Sequence, residues 1–250
     1  MTLRETLEIA VDIGFAMLQC GAEIYRVEQS VSFICSAYGF DDTDVFVIPS
    51  VIIVTIRDGR ENITTSKRLR SQQVDLDKVD RLNALSRYLC EQKPDLIEIR
   101  ELLKKIEQRR GYPLWLTVLC FAVVSFFFTL FFGGSLFDSC LAFAIGVVTK
   151  LVCYGLARQR ANPFLINTAA GITVSLLTQI CMLAGLTAQI DTISIGVFMN
   201  LVPGVALTNG IRDFISGDFF GGIGKMIEAL LIASAIALGA AVVIILFRIV

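Results

Sequence analysis

Charge leaves this sequence abruptly. Of its 22 Lys and Arg residues, 16 precede residue 113, as do 18 of the 23 Asp and Glu residues, so the remaining half carries only eleven charges. With 55% hydrophobic residues and a mean hydropathy of +0.70, the chain is too apolar for an ordinary soluble domain. The imbalance predicts two domains: residues 1–111 as a cytoplasmic α+β domain, and residues 112–250 as a five-span α-helical transmembrane bundle. The spans fall near 114–132, 136–157, 163–186, 192–209 and 226–247, each close to the roughly 20 residues that cross a bilayer. Interfacial aromatics Tyr112 and Trp115 follow the basic pair Arg109-Arg110, as at a point of entry from the cytoplasm. The loops at 133–135 and 185–191 lack Lys and Arg, whereas Arg158, Arg160, Arg212 and Lys225 occupy the opposite loops. The positive-inside rule then gives a cytoplasmic N-terminus and an outside C-terminus, with Arg248 as a minor exception.

The N-terminal half reads as helix, sheet, helix. Apolar residues recur at helical spacing from Leu3 to Ala37 as one or two helices, and Arg4, Glu5, Glu8 and Asp12 make the start an amphipathic helix rather than a cleavable signal. Within CGAEIYRVEQS, Glu23 and Arg26 stand close enough on a helix to pair, either as an ordinary surface ion pair or as part of a site. The run VFVIPSVIIVTI is β-branched, Asp58-Gly59 signals a hairpin, and Pro49 is expected at an edge or bulge. Lys67 to Arg70 reads as a solvated loop that could also touch anionic lipid. Two amphipathic helices follow, Val74–Cys90 and Asp95–Arg109, with Asp95 placed to cap the second.

Polar residues inside the spans mark a candidate pathway. In FMNLVPGVALTNGIRDFISGD the fourth span is interrupted by Pro203 and Gly204, between Asn200 and Asn209. Proline removes a backbone donor and clashes with the preceding turn, so carbonyls are freed for other partners. Either a broken helix of the kind that lines transport paths or a simple proline kink fits these residues. Arg212 is suited to gripping a carboxylate through two parallel hydrogen bonds, although a local pair with Asp213 or Asp218 would use it equally well. Asn167, Gly171, Ser175 and Gln179 repeat every four residues in the third span, and Ala142, Gly146 and Lys150 do so in the second. Lys150 could attract a substrate carboxylate or snorkel to the headgroups. In the fifth span, Ala229, Ala233, Ala237 and Ala241 read as a packing row.

Several chemistries are excluded. The chain has no histidine, which removes His-based triads, His metal sites and His proton relays. Its seven cysteines show no CxxC pair and read as reduced structural thiols, with no metal or other cofactor implied. A net charge of -1 points to no nucleic-acid partner, and nothing resembles GxxxxGK[ST].

LVPGVALTNGIRDFISGD, CGAEIYRVE and DGRENITTSKR, in these relative positions, resemble the threonine/serine exporter family in its short form, an N-terminal cytoplasmic domain plus five spans. The resemblance covers nearly the whole chain. It implies a bacterial inner-membrane secondary exporter of a small amino acid (threonine or serine) or a dicarboxylate such as succinate, and not an enzyme. It further implies a separate small membrane subunit that completes the exporter, and association of half-length chains. Pro203, Gly204, Asn209 and Asp213 match the family pattern; Lys150, Asn167, Ser175, Asn200 and Arg212 join the expected pathway on the residue-level reading alone. The alternatives are a membrane-anchored sensor or regulatory subunit whose soluble domain binds the metabolite, and, more weakly, a membrane-bound hydrolase.

Overall fold

The computed structural model describes residues 1–59, 61–70, 72–109, 111–187 and 189–249, the side chains of Arg248 and Ile249 excepted. Arg60 of the hairpin motif and Arg110 of the basic pair therefore lie outside the described residues. The chain divides into two compact units, one of Met1–Arg110 with Thr208–Met226, the other of Gly111–Leu207 with Ile227–Val250.

In the first unit, α1 (Leu3–Gln19) and α2 (Ile24–Ala37) are separate helices. A capping box between Thr2 and Glu5 starts α1, and Gly21, at φ +86°, turns the chain into α2 through a backbone conformation that side chains disfavour. β1 (Thr43–Ile48), β2 (Val51–Asp58) and β3 (Glu61–Arg68) form an antiparallel meander. Ile48 pairs with Val51 and Asp58 with Glu61, so both connections are two-residue hairpins. Pro49 is thus in the first turn, not at an edge or bulge, where its missing N–H costs no ladder bond. Gly59, at φ +56°, supplies the second turn. Ile52, Val54 and Ile56 alternate onto the helix-facing side and are fully buried, each contributing about 1.5–3 kcal/mol.

The run at 67–70 is only half loop. Lys67 and Arg68 end β3, Lys67 pairs with Asp12 of α1 and lies 5.6 Å from the Phe15 ring, and Leu69 is buried. α3 (Leu76–Gln92) and α4 (Leu96–Glu107) follow as expected, with Asp95 capping Glu98 N–H at 2.9 Å.

The second unit contains α5 (Leu114–Phe131), α6 (Leu136–Arg158) and α7 (Pro163–Leu183), then the short α8 (Ile190–Phe198) and the start of α9 (Gly204–Ile215). The long α10 (Phe219–Ile249) begins in the first unit and continues in the second. Among the described residues four helices are long and apolar enough to cross a membrane: Leu114–Phe131, Leu136–Arg158, Pro163–Leu183 and Phe219–Phe247. The fourth expected span, 192–209, is not one helix. It divides into α8 and α9, nine and twelve residues long, each too short to cross alone. The last helix starts at Phe219 instead of 226, and its 31 residues run about 46 Å.

Within this unit α5 turns Ala122, Ser125 and Thr129 inward and leaves Phe127 and Phe131 exposed. Asp138, which caps α6 with Ser135, accepts a 2.6 Å hydrogen bond from Thr187, so the α5–α6 and α7–α8 loops share one end of the unit. A Cβ on Gly171 would collide with the Ile236 carbonyl, and one on Gly239 with the Thr168 carbonyl, so α7 and α10 meet backbone to backbone.

The alanine row of α10 does not make this contact. Ala229, Ala235, Ile236, Gly239 and Val243 are buried, whereas Ala233, Ala237 and Ala241 are exposed. Residues four apart on an α-helix drift roughly 40° per step, so three steps turn a row well away from its starting face.

Candidate functional site

The helix break is real and tight. α8 ends at Phe198, Leu201 and Val202 N–H groups both return to the Phe198 carbonyl at 2.8 and 3.1 Å, and α9 begins after Pro203, whose carbonyl accepts from Leu207 at 3.0 Å. Proline sits where its absent N–H loses no intrahelical bond. A simple kink in a continuous helix is therefore ruled out.

Asn200 lies in the break. Its amide donates to Ser125 Oγ at 2.9 Å and to the Phe121 carbonyl at 3.3 Å, tying the unwound turn to α5. Lys150 stands over the ring of the same Phe121, 5.7 Å from its centroid, and is half-buried. Lys150 and Asn200 thus converge on one turn of α5.

The stripe on α7 divides. Ser175 and Gln179 line a cavity of about 510 Å³ with Asp191, Ser194 and Phe198 of α8 and Ala240 of α10. Asn167 does not reach it: its amide donates to the Pro163 carbonyl of its own helix at 2.9 Å. The four-residue drift noted for α10 separates the two ends of this row as well.

Asn209, Arg212 and Asp213 gather in the first unit, where α9 meets the α1–α2 turn and the start of α10. Arg212 pairs with Glu23 at the start of α2, and not with Asp213 or Asp218. Arg26, one turn on, reaches the other Glu23 oxygen at 2.6 Å, realising the i,i+3 pair the sequence offered. Asn209 Nδ2 lies 3.4 Å from the Gly21 carbonyl. Asp213 pairs with Lys225 of α10 at 2.8 Å, with side-chain exposures of 0% and 6%. Asp218 accepts from Gly221 N–H at 3.0 Å and so caps α10. Gly210 and Gly222 bring α9 and α10 so close that a Cβ on either would lie 3.0 to 3.3 Å from the other's carbonyl oxygen or nearest side chain, and within 2.9 Å of Phe214 in the case of Gly222.

Two segments almost 190 residues apart therefore build one cluster, CGAEIYRVE from one end of the chain and TNGIRDFISGD from the other. Of the two readings open for Glu23 and Arg26, the cluster uses both, a local ion pair within a larger group, and Lys225 joins it without a sequence signal. Among the described residues, the buried side-chain polar atoms with no hydrogen-bond partner are Glu23 Oε2, both Asp213 carboxylate oxygens, Asp218 Oδ2 and Lys225 Nζ. All belong to this cluster. Glu23 Oε2 and Lys225 Nζ are close to their counter-ions, but the directions between donor and acceptor are too oblique for a hydrogen bond.

Glu28 of α2 borders the same group. Burial raises its pKa above the ordinary glutamate value, the Val47 N–H it accepts at 3.0 Å opposes this, and Asp218 adds to the rise. Over the pH window between the unfolded and folded values, the fold holds a proton that the unfolded chain has lost. Stability contributed there falls as pH rises. Glu28→Gln is expected to raise the melting temperature near neutral pH and to lose that advantage in acid, as thermal unfolding followed by size-exclusion fluorescence will register.

Membrane-length apolar helices around an interrupted one, with polar groups collected at the break and in a cavity, define a multi-pass membrane protein. The chain belongs to the family described as "Putative threonine/serine exporter", whose model matches residues 8–247. It is 21% identical over 240 residues to "Probable succinate transporter subunit YjjP" of Klebsiella aerogenes and 22% identical over 247 residues to the protein of that name from Escherichia coli (strain K12). Each match covers 94% of this chain and 92% of the relative. No solved structure matches it. Membership of an exporter family makes this a transport protein and not an enzyme, and the relatives are named as subunits.

Proposed function

We propose that the chain is one subunit of a secondary exporter for small carboxylate-bearing metabolites, threonine and serine or a dicarboxylate such as succinate. The observation that carries this reading is the interrupted α8–α9 pair, with Asn200 in the break and the cavity of Ser175, Gln179, Asp191 and Ser194 beside it. A volume near 510 Å³ is ample for a metabolite of a few carbon atoms with its water.

In this reading residues 1–111 form the cytoplasmic domain and 112–250 the membrane domain, with α8, the break and α9 together making the fifth crossing. The residues proposed for the pathway are Lys150, Asn167, Ser175 and Asn200 in the second unit, the break at Pro203 and Gly204, and Asn209, Arg212 and Asp213 in the first. The shared end of the α5–α6 and α7–α8 loops, joined by Thr187 and Asp138 and free of Lys and Arg among their described residues, supports an outward placement of those loops and a cytoplasmic N-terminus. The bacterial inner membrane and a small membrane partner are proposed on the family resemblance, and the printed names of the relatives support a partner.

Cells lacking native exporters and preloaded with labelled threonine, serine or succinate test this reading. Efflux is expected when this chain and its small partner are expressed together, and to fall to background with either alone. Efflux from this chain alone would remove the partner, and none in any combination, with protein confirmed in the membrane, would reject the exporter.

A further inference from the structure

Asp213 and Lys225 face each other across the α9–α10 contact with almost no exposure, and neither makes a hydrogen bond. A buried ion pair without supporting hydrogen bonds recovers little of its desolvation cost, so the pair adds little net stability to the fold. The backbones at Gly210 and Gly222 are in near contact, which leaves little room for an organic solute between the helices. A proton needs no such room.

We infer that Asp213 is the proton-carrying residue of transport and Lys225 its counter-ion. The carboxylate takes one proton from water and becomes a neutral carboxylic acid; the ion pair with Lys225 is lost, and return of the proton to water restores it. Because Asp213 stands on α9, directly after the Pro203 break, its charge sets how firmly that helix is held to α10. The other charged groups of the cluster are Glu23 and Arg26 of α2, Arg212 of α9 and Asp218 before α10, with Glu28 of α2 feeling the charge of Asp218.

This inference rests on the exporter reading and is tested separately from it. The full chain, with its partner if efflux requires one, is reconstituted in liposomes holding a pH-sensitive dye. Two rates are compared: exchange of labelled serine or succinate without a pH gradient, and net flux driven by a gradient. For Asp213→Asn, gradient-driven flux and solute-dependent proton movement are expected to fall at least tenfold further than exchange. If Asp213→Asn does not fold, the double variant Asp213→Asn with Lys225→Gln removes both charges and is expected to give the same split. Proton movement retained in either variant overturns the assignment, as does an equal fall in exchange and driven flux, which would make Asp213 a structural or solute-binding residue. Wild-type exchange without solute-linked proton movement also overturns it, yet leaves the exporter reading standing.

Discussion

Replacing Lys225 by methionine is expected to destabilise the first unit by about 3–5 kcal/mol, because it leaves the Asp213 carboxylate buried without a counter-ion. The methionine itself fills much of the same space, so lost packing is a minor part of the effect. Adding Asp213→Asn to Lys225→Met should recover most of the loss, since an amide needs far less solvation than an ion. Thermal unfolding of the two single variants and the double variant closes the cycle. A double variant as unstable as the sum of the singles would mean that the pair is not coupled, contrary to its 2.8 Å separation.

Gly171→Leu is the second change with a large expected effect. Even the first carbon of the new side chain collides with the Ile236 carbonyl, and helix backbone cannot rotate away as a side chain can. The cost is expected at or beyond the upper end of the about 1–3 kcal/mol usual for overpacking, with α7 and α10 forced apart and little monodisperse protein recovered in detergent. Gly155→Ala is the control. That glycine lies on α6 with no atom within 4 Å of its missing Cβ, so alanine there should be neutral or slightly stabilising. Equal yields from the two variants would contradict the close α7–α10 packing.

Local chemistry was legible in the residues; long-range partnership was not. Asp95 as a cap, Asp58-Gly59 as a hairpin and Pro203-Gly204 as a break each act within a few residues, and each holds in the fold. Arg212 shows the contrary case. Nearby Asp213 and Asp218 were obvious partners, yet the guanidinium reaches Glu23, 189 positions away, a pairing that tertiary packing alone creates. Lys225 looked like a basic loop residue serving the positive-inside rule, but the early start of α10 makes it helical and buried. Rows at four-residue spacing drift: Asn167 shares a row with Ser175 and Gln179 but not their cavity, and the alanine row of α10 holds three exposed alanines instead of the Gly239 face. A spacing alternating three and four, as in Ala229, Ile232, Ile236, Gly239 and Val243, would have followed the inward side of α10, where Ile232 is half-buried and the other four are buried. Asp191 and Ser194 carry no sequence signal of a site: Asp191 falls in the loop before the fourth span, and only the fold makes α8 a short helix whose first turn borders a cavity.

Counterflow in liposomes tests the transport claim most directly. The purified chain, alone and with its small partner, is loaded with unlabelled serine, threonine or succinate and given the labelled solute outside. The account requires a transient, saturable overshoot of label for at least one of these carboxylates, abolished by Asn200→Leu at the break. Label that only equilibrates passively in every combination, from protein shown to be folded and inserted, would contradict it.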